Sequence, residues 1–162
     1  MKPSRVDRAD AMIDVEFQNA CSGAQQLPSE ADIAGWTRAA VSGLSDAELV
    51  VRVVDEAESA ELNGMFRNKP VPTNVLSFPF EAPPGIDSVI LGDVAICAAV
   101  VEREAREQRK TLAAHWAHMV VHGVLHLQGY DHIEPADADR MESAEIQIMH
   151  TLGFANPYEE VL

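Results

Sequence analysis

Apolar and polar positions along this chain follow two periods, and the points where the period changes divide it into elements. MIDVEFQ (12 to 18) alternates with a period of two and predicts a strand. SEADIAGWTRAAVSGL (29 to 44) changes to a helical period and opens at Ser29, a residue suited to cap a helix start. ELVVRVVD (48 to 55) predicts a second strand, followed by a helix from about Glu56 to Phe66. NVLSFPF (74 to 80) and VILGDVAIC (89 to 97) predict two more strands, separated by the proline- and glycine-bearing loop EAPPGID. Pro79 has no N–H to donate to a ladder, so the first of these is an edge or irregular strand. Three helices close the chain, at roughly 98 to 109, 112 to 127 and 137 to 152, the last ended by Gly153 as its C′ residue.

This order, without repeats, low-complexity segments or a dividing linker, predicts one α+β domain over residues 1–162. Its sheet should be mixed, of about four strands, packed with about five helices. The segment LAAHWAHMVVHGVLHL (112 to 127) is apolar nearly all round, which marks a helix buried in the middle of the domain.

Histidines are the anomaly on that helix. At 100° per residue, His115, His118, His122 and His126 fall within about 80° of one another, on a single face. His122 and His126, at i and i+4, are stacked neighbours able to offer nitrogens to one ion. Gly129 then ends the helix and lets the chain return with His132 as a third ligand, completing the pattern in HGVLHLQGYDH (122 to 132). Three neutral imidazoles leave a tetrahedral position open, as in a catalytic site and unlike a closed structural one. Zinc, one ion per chain, is the expected cofactor, although imidazoles also suit nickel, copper and iron. Tyr130 and Asp131 are candidates for orienting the ligands, with a local backbone acceptor as the other reading of Asp131. His118 is read as a buried structural histidine, with proton relay or ligand orientation as the alternative.

The spacing also matches the peptidase pattern H-E-x-x-H-x-x-G-x-x-H except that Gly123 stands where those enzymes keep their general base. Peptide hydrolysis is therefore the secondary reading. A glycine inside a helix costs about 1 kcal/mol relative to alanine. Something must come close at Gly123, either another helix or a substrate backbone.

Composition narrows the field further. With 47% apolar and 23% charged residues in 162, the chain can bury a core. No apolar run is long enough to span a membrane, and MKPSRVDRADAMIDVEF carries charges without an apolar stretch before Asp10, so a cytoplasmic protein is expected. Cys21 and Cys97 form no C-x-x-C pair and are read as reduced thiols without a role. The net charge of −14 opposes a nucleic-acid partner only if evenly spread, and it is not. Residues 63 to 122 hold six basic and six acidic side chains, so the surplus acid lies outside them. Within them Arg103, Arg106, Arg109 and Lys110 recur at helical spacing, as a basic stripe for RNA or a solvated face.

HWAHMVVHGVLHLQGYDH, together with LNGMFRNKPVPTNVLSFPF, LGDVAIC and MESAEIQIMHTLGFANPY, resembles the bacterial YbeY family of rRNA maturation factors over roughly residues 50 to 158. The resemblance implies a single-strand-specific, metal-dependent endoribonuclease acting in rRNA processing, notably at the 3′ end of the small-subunit rRNA, and in ribosome quality control. Its metal ligands map onto His122, His126 and His132, and its important arginine onto Arg67, expected in a loop before a strand. Arg67 and His122 are thus the catalytic candidates. Single-stranded RNA, the small ribosomal subunit and its proteins are the implied partners, with no membrane. Pro70 and Asn74 depart from the family pattern, which commonly has acidic residues there. A peptidase-like metallohydrolase and a non-catalytic ribosome assembly factor with a structural zinc are the alternatives.

Overall fold

The protein is represented by a computed structural model that describes residues 12 to 159, apart from 24, 25, 42 and 44. The charged amino-terminal stretch and both ends of the 1–162 domain lie outside the described residues. The elements run β1 (Ile13–Asn19), α1 (Glu30–Ala40), β2 (Ala47–Val54), α2 (Glu56–Arg67), β3 (Val75–Pro79), β4 (Ile90–Cys97), α3 (Ala98–Glu107), α4 (Leu112–Leu127) and α5 (Pro135–Thr151). The expected α+β class, mixed four-stranded sheet and five helices are all present among the described residues.

Strand order is β1-β2-β4-β3. β1 pairs parallel with β2 and β2 with β4, while β3 lies antiparallel to β4 at the edge. Alternation decides which side chains go where. Ile13, Val15 and Phe17 of β1, Leu49, Val51 and Val53 of β2, and Val94 and Ile96 of β4 join the main core with Ile33 and Trp36 of α1 and Trp116, Val120 and Val124 of α4. Leu76 and Phe78 of β3, with Ala95 and Cys97 of β4, join a smaller core on the other face with Leu62 of α2. Each fully buried aliphatic side chain contributes roughly 1.5 to 3 kcal/mol. The main core therefore dominates stability, and α4 lies at its centre.

Helix ends explain most departures from the sequence reading. α1 opens on Ser29, whose hydroxyl accepts from the Asp32 N–H, but it stops at Ala40 rather than 44, because Val41 turns extended. Gly43 beyond it has φ 85°, a turn conformation. α5 begins at Pro135, earlier than expected, since proline's fixed φ suits the first helical position. At its far end the Gly153 N–H donates to the His150 carbonyl and that of Phe154 to Met149, the paired bonds of a Schellman cap. Arg67 is not in a loop: it is the last residue of α2, which the left-handed Asn68 (φ 59°) terminates.

Gly123 has a cause that neither expectation named. The face of α4 that carries it lies on the sheet, and a Cβ there would stand 2.6 Å from Val94 Cγ1 and 3.1 Å from Val75 Cγ2. Neither another helix nor a substrate is involved. The Ser77 hydroxyl donates to the Gly123 carbonyl at 2.9 Å, pinning α4 to β3. Gly123→Ala gains about 1 kcal/mol of helix propensity but meets the stiff, fully buried Val94, and overpacking typically costs about 1 to 3 kcal/mol. The expected outcome is a lower urea midpoint than wild type; a higher one would show that α4 can lift off the sheet without loss.

Candidate metal centre

α4 starts at Thr111, whose hydroxyl accepts from the Ala114 N–H, and carries its histidine row inward. His115 and His118 are buried, whereas His122 and His126 are half-buried where the helix emerges at its carboxyl end. There the Gly129 N–H donates to the His126 carbonyl and that of Tyr130 to Leu125, with Gly129 at φ 95°. Only glycine takes that conformation without strain, and it reverses the chain. Asp131 then accepts from the His132 and Ile133 N–H groups at 2.6 and 3.2 Å, so it is a local backbone acceptor. The turn so held presents His132 to the helix.

The three imidazoles converge. Ring centroids are 4.7 Å apart for His122 and His126, 5.0 Å for His126 and His132, and 5.7 Å for His122 and His132. One ligand nitrogen from each lies within 4.8 Å of the others. Small ring rotations bring such a set to the ~2.0 to 2.1 Å metal–nitrogen distance of zinc. The donors also suit an ion chemically: burial, then the neighbouring His122 and His132, lowers the pKa of His126 to about 4, so its imidazole is neutral at pH 7.

These rings form one wall of a cleft of about 370 Å³ whose opposite wall is the edge of β3, with Asn74, Ser77 and Pro79. Arg67 enters from the end of α2. Its guanidinium donates to the Phe66 and Ser77 carbonyls at 3.2 and 3.3 Å, which aims it across the mouth of the cleft. A cationic fork and three imidazoles, the one on His126 held neutral, thus share one cleft in an acidic protein.

Behind the cleft lies a group that the sequence reading missed. Glu145 of α5 is fully buried. Its Oε2 meets His118 Nε2 at 2.5 Å and His122 Nδ1 at 3.2 Å, and its Oε1 accepts from the Tyr158 hydroxyl at 2.6 Å. Burial alone would raise its pKa, but hydrogen bonds from His118, His122 and Tyr158 outweigh that and hold it well below the usual carboxylate range. Tyr158 is pushed up in turn, by burial and then by Glu145. One signal was available: Met141, Glu145 and Met149 occupy the buried line of α5, a carboxylate between two methionines at i and i+4 spacing.

A second pair closes the other end of the row. His115 Nε2 lies 2.9 Å from Glu104, whose carboxylate also accepts both contacts of the Asn74 amide at 3.1 and 3.2 Å. Aspartate at 74 would oppose Glu104 with like charge, which accounts for the departure there. Pro70 packs against Gly64, with its Cα and Cβ each 3.3 Å from where a Cβ would stand.

The basic stripe does not form as a helical stripe. α3 ends at Glu107, and Arg109 takes a left-handed conformation (φ 56°) beyond it. Arg106 pairs with Glu102, Arg103 lies 3.8 Å from Glu56, and Lys110 turns to the Pro157 carbonyl.

No helix among the described residues is long and apolar enough to cross a membrane. The solution structure of TM1509 from Thermotoga maritima is similar to this chain with a TM-score of 0.51 and 23% identity, covering 92% of this chain and 100% of that one. It carries the same fold. The family model described as endoribonuclease YbeY matches residues 21–153, a span that includes Arg67, the β3 edge, all three converging histidines and Glu145. The chain belongs to the YbeY family of metal-dependent endoribonucleases that act in rRNA processing.

Proposed function

We propose that this protein is a single-strand-specific endoribonuclease that holds one zinc ion on His122, His126 and His132 and matures rRNA at the 3′ end of the small-subunit rRNA, with a part in ribosome quality control. The observation that carries this reading is the sharing of one cleft by the three converging imidazoles and the Arg67 guanidinium. Such a substrate places the protein in the cytoplasm, with the small ribosomal subunit and its proteins as partners.

A zinc ion bound there supplies Lewis acidity toward a phosphodiester oxygen. Arg67 supplies charge: its guanidinium stays protonated, and anchoring two of its donors on carbonyls leaves the rest of the fork for phosphate oxygens as negative charge builds in the transition state. His122, the ligand nearest the buried carboxylate, is the second catalytic candidate. The peptidase alternative loses ground, because its general base belongs at residue 123, where even a Cβ would strike Val94.

The test is cleavage of a single-stranded rRNA fragment, its duplex form and casein, before and after chelation. Single-strand cleavage should disappear with the metal and return with added zinc, while the duplex and casein stay intact. RNA cleavage indifferent to chelator, or casein turnover without RNA turnover, would overturn the proposal.

A further inference from the structure

Glu145 is unexpected where it sits. Met141 and Met149, one turn before and one turn after it on the same buried line of α5, show that an apolar side chain packs well against α4 there. A buried carboxylate is costly unless its oxygens are fully engaged. Glu145 is engaged by His118, His122 and Tyr158, and one of these partners, His122, also lines the cleft.

The direction of these bonds matters. An ionised carboxylate only accepts, so the proton between Glu145 and His122 belongs to His122 Nδ1, and the lone pair of that ring lies on Nε2. An imidazole with its proton on Nε2 would have no lone pair to offer an ion there. From this we infer that Glu145 is a positioning residue for the metal centre: it fixes the tautomer and ring orientation of His122, and is itself held by His118 and Tyr158. The inference rests on the reading of His122 as a ligand.

The same donors, His118, His122 and Glu145, also lie within 4.8 Å of one another, the spacing of a second ion site. The close contact decides against it. At 2.5 Å, Glu145 Oε2 and His118 Nε2 are at hydrogen-bond distance, whereas two ligand atoms each about 2.0 to 2.2 Å from one ion stand farther apart. The hydroxyl of Tyr158 occupies the other carboxylate oxygen as well.

Glu145→Gln keeps the shape and replaces one acceptor oxygen by a donor amide. Two measurements test it, both on the full chain: zinc affinity by competition with a chromogenic chelator, and the His122 tautomer in the metal-free protein from its ring nitrogen chemical shifts. Wild type should show Nδ1–H on His122. Glu145→Gln should populate Nε2–H and bind zinc about 10- to 100-fold more weakly, the usual effect of losing such a partner. Tyr158→Phe removes one hold on the carboxylate from a side chain that is 44% exposed. It should move both readouts the same way, more weakly, and it carries the test if Glu145→Gln does not fold. A purely structural Glu145 would lower the melting temperature of the metal-free protein and leave zinc affinity and tautomer unchanged, overturning the inference. Two zinc ions per chain, with one lost in Glu145→Gln, would overturn it in favour of a second ion. A wild type that binds no zinc would remove the metal centre proposed above, while the tautomer measurement still decides whether Glu145 sets His122.

Discussion

Replacing His126 by alanine is expected to abolish metal binding and, with it, RNA cleavage. The His126 ring is the one nearest both others, with its centroid 4.7 Å from His122 and 5.0 Å from His132, so its removal takes out the proposed ligand that links helix to turn. The remaining pair has centroids 5.7 Å apart, the widest of the three separations. Loss of a partner outside the coordination sphere typically weakens metal binding about 10- to 100-fold, and loss of a ligand should exceed that. The fold should survive. The three proposed ligands lie within the eleven residues 122 to 132, whereas the main core rests on Ile33, Val51, Trp116 and Val120, all outside that stretch. Elemental analysis of the purified variant, beside the melting temperature of chelated wild type, checks both halves. Wild-type metal content in His126→Ala would end the three-histidine assignment, and collapse of the fold would favour the alternative of a structural zinc.

The second large effect concerns Arg67, whose task is separate from metal binding because a guanidinium has no lone pair for an ion. Arg67→Ala should keep the full metal content and lose cleavage by about 10² to 10³, roughly 2.7 to 4 kcal/mol, the loss typical of removing one positioned charge-stabilising donor. Arg67→Lys should recover only part, since an ammonium keeps the charge but cannot contact two phosphate oxygens as a planar fork. Helix ends tolerate the change: Arg67 is the exposed last residue of α2 and Asn68 caps behind it. Single-turnover cleavage of a single-stranded RNA, with metal content and melting temperature for all three proteins, is the measurement. Near-wild-type cleavage by the alanine variant would remove Arg67 from the mechanism.

Local periodicity carried the fold a long way. The alternation of β1, the apolar helix α4, and the glycines at 129 and 153 are written in neighbouring residues, because a pleat, a helix face and a cap depend on positions a few residues apart. The histidine spacing at i, i+4 and i+10 is equally local. Glu145 was not legible, because its relation to His122 spans 23 residues and is made only when α5 docks on α4. Gly123 was legible as a close approach but not as to what approaches, since the sheet that fills the space comes from Val75 and Val94, far back in the chain. The four basic residues after Glu102 misled for a related reason. Spacing counts residues, while the end of α3 and the ion pairs with Glu56 and Glu102 decide which charges stay together.

The edge position of β3 has a bearing on solubility. Bonds from Cys97 N–H to the Asn74 carbonyl and from Phe80 N–H to the Leu91 carbonyl fix the inward-facing residues. Val75, Ser77 and Pro79 therefore turn their backbone groups outward, toward the cleft. An open edge is a template on which another chain can add a strand, yet half of the outward positions of this one are blocked. The Asn74 side chain takes the Val75 N–H, Arg67 occupies the Ser77 carbonyl, and Pro79 has no N–H to give. The arginine proposed for charge stabilisation thus also covers one acceptor of that edge. Arg67→Ala uncovers an acceptor on a free strand edge, so the variant is expected to stick to itself at concentrations where wild type stays dispersed.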